Sequence, residues 1–370
     1  MANSWEELGK QIASARNDRR LTQTELAAAL DVDRTVISKI ETGERKVDSF
    51  ELARFAAVLR RPVRWFLDEA SPSVVSRRAE RKELVRGADI ELETLALDVE
   101  QVIGLGLVPP TFPAFELHSI DDTEAAATLA RERADLRADE PVWNLVQVVE
   151  RLGLFAFVLP LDPDIGAPAE GSYVALARGG VALINARGQS GRRRFTIAHE
   201  LGHHVLADEY APEWVVGAGS SDAEKIINAF AIHFLMPRDG VISRWTRLAG
   251  ASDPRGAAIR IAAEFGVSWS AACAQLERLG LLTTAQFQQL VVANPNAADF
   301  AEHEAVVRDD VVGPNIPPAY ASAVIRALRK GKIGPQRAVE LLYGTVAGRD
   351  LPFARPLSLD EMLPDLEPLP

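Results

Sequence analysis

The chain has 370 residues, 47% hydrophobic and 25% charged, ordinary globular values for a length that allows two or three domains with their own cores. Its one cysteine, Cys273, excludes an internal disulfide and suits a reducing compartment. No secretory signal and no bilayer-length apolar run is read, so a cytoplasmic protein without a membrane partner is expected. A net charge of −11 excludes a whole-chain nucleic-acid coat, yet Gly9 to Phe66 carries twelve Lys/Arg against eight Asp/Glu, so a local basic face is still available.

Five short helical segments are expected in the first 67 residues. Trp5 to Arg19 repeats Leu8, Ile12 and Ala15 at helical spacing. "TQTE" is a capping box with Thr22 as N-cap and Glu25 three residues on, and that helix ends near Leu30. Asp33 caps "RTVISKIE", which stops at Gly43, and "SFELARFAAVL" and "PVRWFL" follow. Leu26, Ala27, Leu30, Val36, Ile37 and Ile40 face inward. Arg34, Thr35, Ser38 and Lys39 face outward, short polar or long basic side chains suited to base edges and phosphates. Gln23 opens the first helix of the pair, where an amide can donate to a phosphate beside a positive helix end.

"SPSVVSRRAERKELVRG" reads as a linker or an exposed helix start. "DIELETLALDVEQVIGLGLV" reads as a helix, and "PPTFP" as a break. From Asp121 two helices ("DTEAAATLARERADL", "VWNLVQVVERLG") lead to a strand, "LFAFVLPL". "GSYVALA" and "GVALIN" then form a hairpin turned at Arg178-Gly179, whose edge is open to an extended substrate. Beyond the histidine helix come "SDAEKIINAFAIHFLMP", a helical unit from Asp253, two helices from Pro317, and a tail with five acids and one arginine between Asp350 and Pro370. There is no internal repeat.

In "RRRFTIAHELGHHVL", His199 and His203 lie four apart and therefore project from one helix face, with Glu200 about 100° round from His199. Two neutral imidazoles in this spacing hold Zn²⁺, and a neighbouring carboxylate placed like Glu200 takes the proton of a water. A catalytic zinc needs a third protein ligand. Glu224 supplies one, with Asn228 four residues later placed to fix the tautomer of a ligand histidine; Asp222 is a rival, and Ser221 to Glu224 also reads as a capping box. His204 lies off the ligand face, His233 lines the site or packs, and His118 and His303 stand alone. Phe195, Ala198, Leu201, Val205 and Leu206 are expected in the core, and Arg192 to Arg194 on a solvated face.

Residues Leu8 to Leu67 resemble the lambda-repressor-like (XRE, Cro/CI) helix-turn-helix family. That resemblance implies DNA contacts by Gln23 and by Arg34, Thr35, Ser38 and Lys39. Asp31 stands where the family usually has glycine in a left-handed turn. "RRRFTIAHELGHHVL", "EKIINAFAIHFLMP" and the strands before them resemble the ImmA/IrrE metallopeptidases, a minimal zincin group often fused to such DNA-binding domains. This implies His199, His203 and Glu224 as ligands of Zn²⁺ (or Mn²⁺) and Glu200 as general base. Ile227, His204 and His233 depart from the family's usual alanine, aliphatic residue and glutamate.

The expectation is a mainly α protein with a small α+β zincin-like domain. It divides into a five-helix helix-turn-helix (1–70), a linker with a helix (71–120), a metallopeptidase with a short antiparallel sheet (121–290) and C-terminal helices with an acidic tail (291–370). The implied function is cleavage of a repressor or similar regulator by a homodimeric protein bound to a duplex operator. A regulator that only senses metal or ligand, and a structural zinc site in an antitoxin-like partner, are the alternatives.

Overall fold

The computed structural model describes residues 4–19, 21–59, 61, 63–67, 74–77, 86–108, 123–161, 171–206, 220–248 and 252–352. The break at "PPTFP", most of the linker, His118 and the acidic end of the tail lie outside them.

The N-terminal part consists of α1 (Trp5–Asp18), α2 (Gln23–Leu30), α3 (Arg34–Glu41), α4 (Ser49–Leu59) and a single 3-10 turn at Val63–Phe66 in place of the fifth helix expected there. The Thr22–Glu25 capping box forms with both bonds, and a second one joins Ser4 and Glu7 at the start of α1. Asp33 is the N-cap of α3 but makes no side-chain cap bond. Asp31 adopts φ 52°, ψ 51°, the left-handed turn in which aspartate is tolerated. Leu8, Ile12, Leu26, Ile37, Ile40, Leu52, Phe55 and Phe66 form this part's own core, each fully buried side chain contributing about 1.5–3 kcal/mol by transfer.

Next come β1 (Val74–Arg77), α5 (Arg86–Gly104), α6 (Thr123–Arg133), α7 (Leu145–Arg151), β2 (Leu154–Leu159), β3 (Gly171–Ala175), β4 (Gly180–Asn185), α8 (Ser190–Leu206) and α9 (Ser220–Leu235). The chain then continues through α10 (Arg238–Arg247), α11 (Pro254–Phe265), α12 (Trp269–Arg278), α13 (Thr284–Val292), α14 (Ala297–Glu302), α15 (Pro318–Arg329) and α16 (Pro335–Leu341). Among the described residues no helix is long and apolar enough to cross a membrane.

The strands form one sheet in the order β1-β3-β4-β2. β3 and β4 make the expected antiparallel hairpin, with Gly179 at φ 93° in its turn. β2, however, runs parallel to β4 from Leu154↔Gly180 to Leu159↔Asn185, so the sheet is mixed rather than purely antiparallel. The hairpin folds back so that its second strand, not its first, lies beside β2. The segment read as linker supplies β1, antiparallel to β3. Both hairpin strands are therefore flanked, and neither is the open edge that the sequence suggested.

The sheet is covered on both faces. Ala156, Val158, Tyr173, Ala182 and Ile184 face a core shared with α6 to α9, α11 and α12. Phe155, Phe157, Val174, Val181 and Leu183 face a second core closed by α5, α15 and α16. Such alternation along each strand is what a sheet buried on both faces requires. Buried Glu150 on α7 accepts from the backbone N–H groups of Ala319 and Tyr320, capping α15. Burial holds its carboxyl above the usual range despite those two bonds.

Candidate metal centre

α8 lies across the sheet, nearest β3 and β4. Its buried face carries Ala198, Leu201, Val205 and Leu206, and Phe195 is half-buried with its ring 6.5 Å from that of His199. α9 packs against α8 at Gly202, where a Cβ would come within 2.9 Å of Ile227 Cγ2 and 3.1 Å of Phe230 Cδ1. The bulky Ile227 thus fills the helix–helix contact, because the facing residue has no side chain.

That close approach brings Glu224 and Asn228 over the two histidines. His199 Nε2 and His203 Nε2 are 3.2 Å apart. Glu224 Oε2 lies 3.4 Å from the first and its Oε1 3.6 Å from the second. One ligand atom from each of the three residues falls within 4.8 Å of the others. Asn228 Oδ1 is 3.1 Å from His199 Nδ1. A carbonyl oxygen only accepts, so Nδ1 carries the proton and Nε2 presents its lone pair to the cluster. Two imidazole lone pairs and a carboxylate aimed at one point are a donor set for a borderline cation such as Zn²⁺; without positive charge between them they repel. His199 is fully buried, His203 and Glu224 half-buried, so the cluster opens to solvent on one side. The Asp222 and Ser221 side chains lie outside the described residues.

Glu200 is fully buried beside the first residue of β3. A Cβ on Gly171 would sit 2.7 Å from Glu200 Oε1 and 2.4 Å from Thr196 Cγ2, so only glycine lets the strand pass there. Sequence reading missed Gly171; its one visible signal was a glycine at the head of an apolar strand.

The other histidines have structural surroundings. His204 bridges the Tyr173 hydroxyl (3.0 Å from Nδ1) and the Leu152 carbonyl (3.1 Å from Nε2), tying α8 to the sheet. His233 is buried with its Nδ1 3.4 Å from Gln275 Nε2, nine residues along α9 from Glu224. Arg192 is exposed as expected, but Arg193 and Arg194 are buried, a correction to the solvated face. Arg193 pairs with Asp309 and donates to the Val311, Ala186 and Gly188 carbonyls, while Arg194 pairs with Asp310 and donates to Val142. Burial pushes the Asp309 carboxyl up, but the Ser190 hydroxyl, the Val311 N–H and Arg193 outweigh it and hold it below its usual range.

In the N-terminal part Arg34, Thr35 and Lys39 are exposed and Ser38 half-buried along the outer face of α3. The Gln23 amide donates to Glu41 at 2.8 Å, and Glu41 is clamped by Arg16 through two bonds of 2.6 and 3.1 Å. Gln23 thus ties α2 to α3, and a phosphate contact by it would use the second N–H of its amide.

Residues 12–66 match the family described as "Helix-turn-helix", and residues 149–277 match the Peptidase M78 family, described as "IrrE N-terminal-like domain". No curated protein matches the chain. Among solved structures, the crystal structure of Bacillus thuringiensis PlcR in complex with the peptide PapR7 and DNA is similar at 12% identity over 91% of each chain. Its TM-score of 0.17 is too low to bear on fold or function. The chain joins a helix-turn-helix to a metallopeptidase-like domain of the IrrE type.

Proposed function

We propose that this protein is a metal-dependent endopeptidase that cuts a transcriptional repressor or similar regulator while its helix-turn-helix, residues 1–70, holds it at duplex DNA as a homodimer. His199, His203 and Glu224 would hold the ion, Zn²⁺ or Mn²⁺, within a catalytic unit spanning residues 121–290. When bound, it would supply Lewis acidity toward a carbonyl oxygen and toward the oxygen of a water, whose proton is then more easily removed. Asn228 keeps His199 in the tautomer whose Nε2 is unprotonated. Glu200 accepts the proton of the attacking water and passes it to the leaving amine nitrogen. Gly171 and Thr196 confine that carboxylate.

The observation that carries this reading is the combination of a three-residue donor set with a buried carboxylate on the residue next to His199 of the same helix. A structural zinc site is normally closed by four ligands and has no use for a base, and a sensor needs ligands only. The test is co-expression with repressors encoded beside this gene, comparing wild type with Glu200→Gln. Glutamine is nearly isosteric, so fold, metal and DNA affinity should persist while cleavage falls by about 10²–10⁴-fold. If Glu200→Gln de-represses as well as wild type while His199→Ala does not, the protein is a metal-gated regulator and not an enzyme.

A further inference from the structure

β1 lies in the segment that joins the helix-turn-helix to the rest of the chain, and it closes the sheet on the side of Glu200. Without it, β3 would be an edge strand. β3 is the strand whose first residue, Gly171, touches the Glu200 carboxylate. An open strand edge beside such a centre accepts an extended polypeptide through main-chain hydrogen bonds that any sequence can make. In this chain that edge is taken. Val74 pairs with Val174, Ser76 with Tyr173 and Arg77 with Ser172, with an irregularity between Val74 and Ser76. The pairing reaches Ser172, the neighbour of Gly171, so the occupied stretch ends beside Glu200.

We propose that β1 is a built-in competitor for the substrate, a strap that has to leave the edge of β3 before an extended polypeptide can be cut. The proposal rests on the peptidase reading above. The strap is suited to being displaced, since it has only four residues and a break in register. A short, irregular edge strand contributes few ladder bonds and is a weak rival to a longer substrate strand. Its upstream end is tethered. Seven residues separate Phe66 from Val74, and Arg61, buried and stacked 4.4 Å from the Trp65 ring, pairs with Glu93 on α5.

The test compares full-length wild type with Val75→Pro/Ser76→Pro. Adjacent residues of an antiparallel strand alternate between facing and avoiding the partner, so two consecutive prolines remove at least one ladder donor. The probes are a fluorescein-labelled peptide with the sequence of residues 73–78, followed by anisotropy, and the repressors encoded beside this gene, followed by cleavage. The expected result is about tenfold tighter peptide binding and about tenfold faster cleavage by the variant. Faster hydrogen exchange at Ser172 to Val174 should accompany both. Equal binding and equal cleavage by the two proteins would overturn the strap and leave the peptidase reading intact. No cleavage by either protein, with metal bound, would overturn the peptidase reading and the strap's inhibitory role with it. Should the double variant not fold, Ser76→Pro alone and hydrogen exchange of wild type decide. β3 amides that exchange in wild type as fast as those of an unpaired strand would overturn the proposal.

Discussion

Gly171→Ala tests whether β3 sets the position of Glu200. The new methyl carbon would lie 2.7 Å from Glu200 Oε1 and 2.4 Å from Thr196 Cγ2. Ordinary contacts are about 3.3 Å for carbon to oxygen and about 3.8 Å for carbon to carbon. The shortfalls are therefore about 0.6 Å at the carboxylate and about 1.4 Å at the threonine. Neither neighbour yields easily. Thr196 is buried within α8, its hydroxyl bonded to the Arg192 carbonyl at 3.0 Å, and Gly171 is held in register with Ile184 of β4. Overpacking of this size costs about 1–3 kcal/mol, a fall in melting temperature of about 2–12 °C in a domain of this size. A displacement of about 1 Å at the proton-transferring group lowers turnover by about 10²-fold. The ligand atoms are not touched, so metal content by elemental analysis should equal that of wild type. Wild-type cleavage of the co-expressed repressor, with melting lowered as expected, would refute the argument that this strand positions the carboxylate.

Asn228→Ala should weaken metal binding by about 10–100-fold without abolishing it, whereas His199→Ala, His203→Ala and Glu224→Ala should each abolish it. Competition with a zinc chelator measures all four, and full occupancy in Glu224→Ala would remove that residue from the ligand set. Arg34→Ala and Lys39→Ala should each weaken binding to the operator, by about 1–3 kcal/mol for the residue that reads a base. Equal, salt-sensitive affinity of the wild type for every duplex tested would exclude specific reading by α3. Burial pushes the Cys273 thiol up to about 11, the opposing charge of Arg255 notwithstanding. Its reactive thiolate is scarce at pH 8 and should increase about tenfold per pH unit below that value. Ellman's reagent at pH 8 should modify the folded protein far more slowly than the unfolded one; equal rates would show that the site is not closed.

The local parts of this architecture were legible in the sequence. The Thr22 capping box, the Asp31 turn and the i, i+4 spacings of His199 with His203 and of Glu224 with Asn228 depend on neighbours within one or two helical turns. α13 and α14 carried the same kind of signal, in the Thr283–Gln286 and Asn296–Asp299 capping boxes, and were overlooked. What no local pattern contains is the identity of a distant partner. Arg193 and Arg194 read as a solvated run because Asp309 and Asp310 follow 116 residues later. "VVSR" read as linker because four residues flanked by charge become a strand only against β3. The parallel pairing of β2 with β4 depends likewise on which strand the hairpin turns inward, and alternation along the strands does not record that.

The bracing of α8 explains why so much of the chain beyond the helix takes part in the centre. The general base proposed at Glu200 works only if it is held in place. Here the helix start is clamped by Arg193 and Arg194 to residues 309 and 310, and the guanidinium groups of Arg194 and Arg308 both lie over the Trp143 ring, at 4.9 and 5.5 Å. Its middle is pressed against β3 by Gly171 and against α9 by Gly202, and its end is tied to the sheet by His204. Breaking one partner of a buried pair such as Arg194 and Asp310 costs about 3–5 kcal/mol, far more than an exposed pair. The segment that bears Asp309 and Asp310 continues into α15, whose first turn is capped by Glu150 and whose apolar face closes the far side of the sheet. The C-terminal helices therefore bear on Glu200 through the sheet and the helix start, while β1 borders the strand whose first residue touches it.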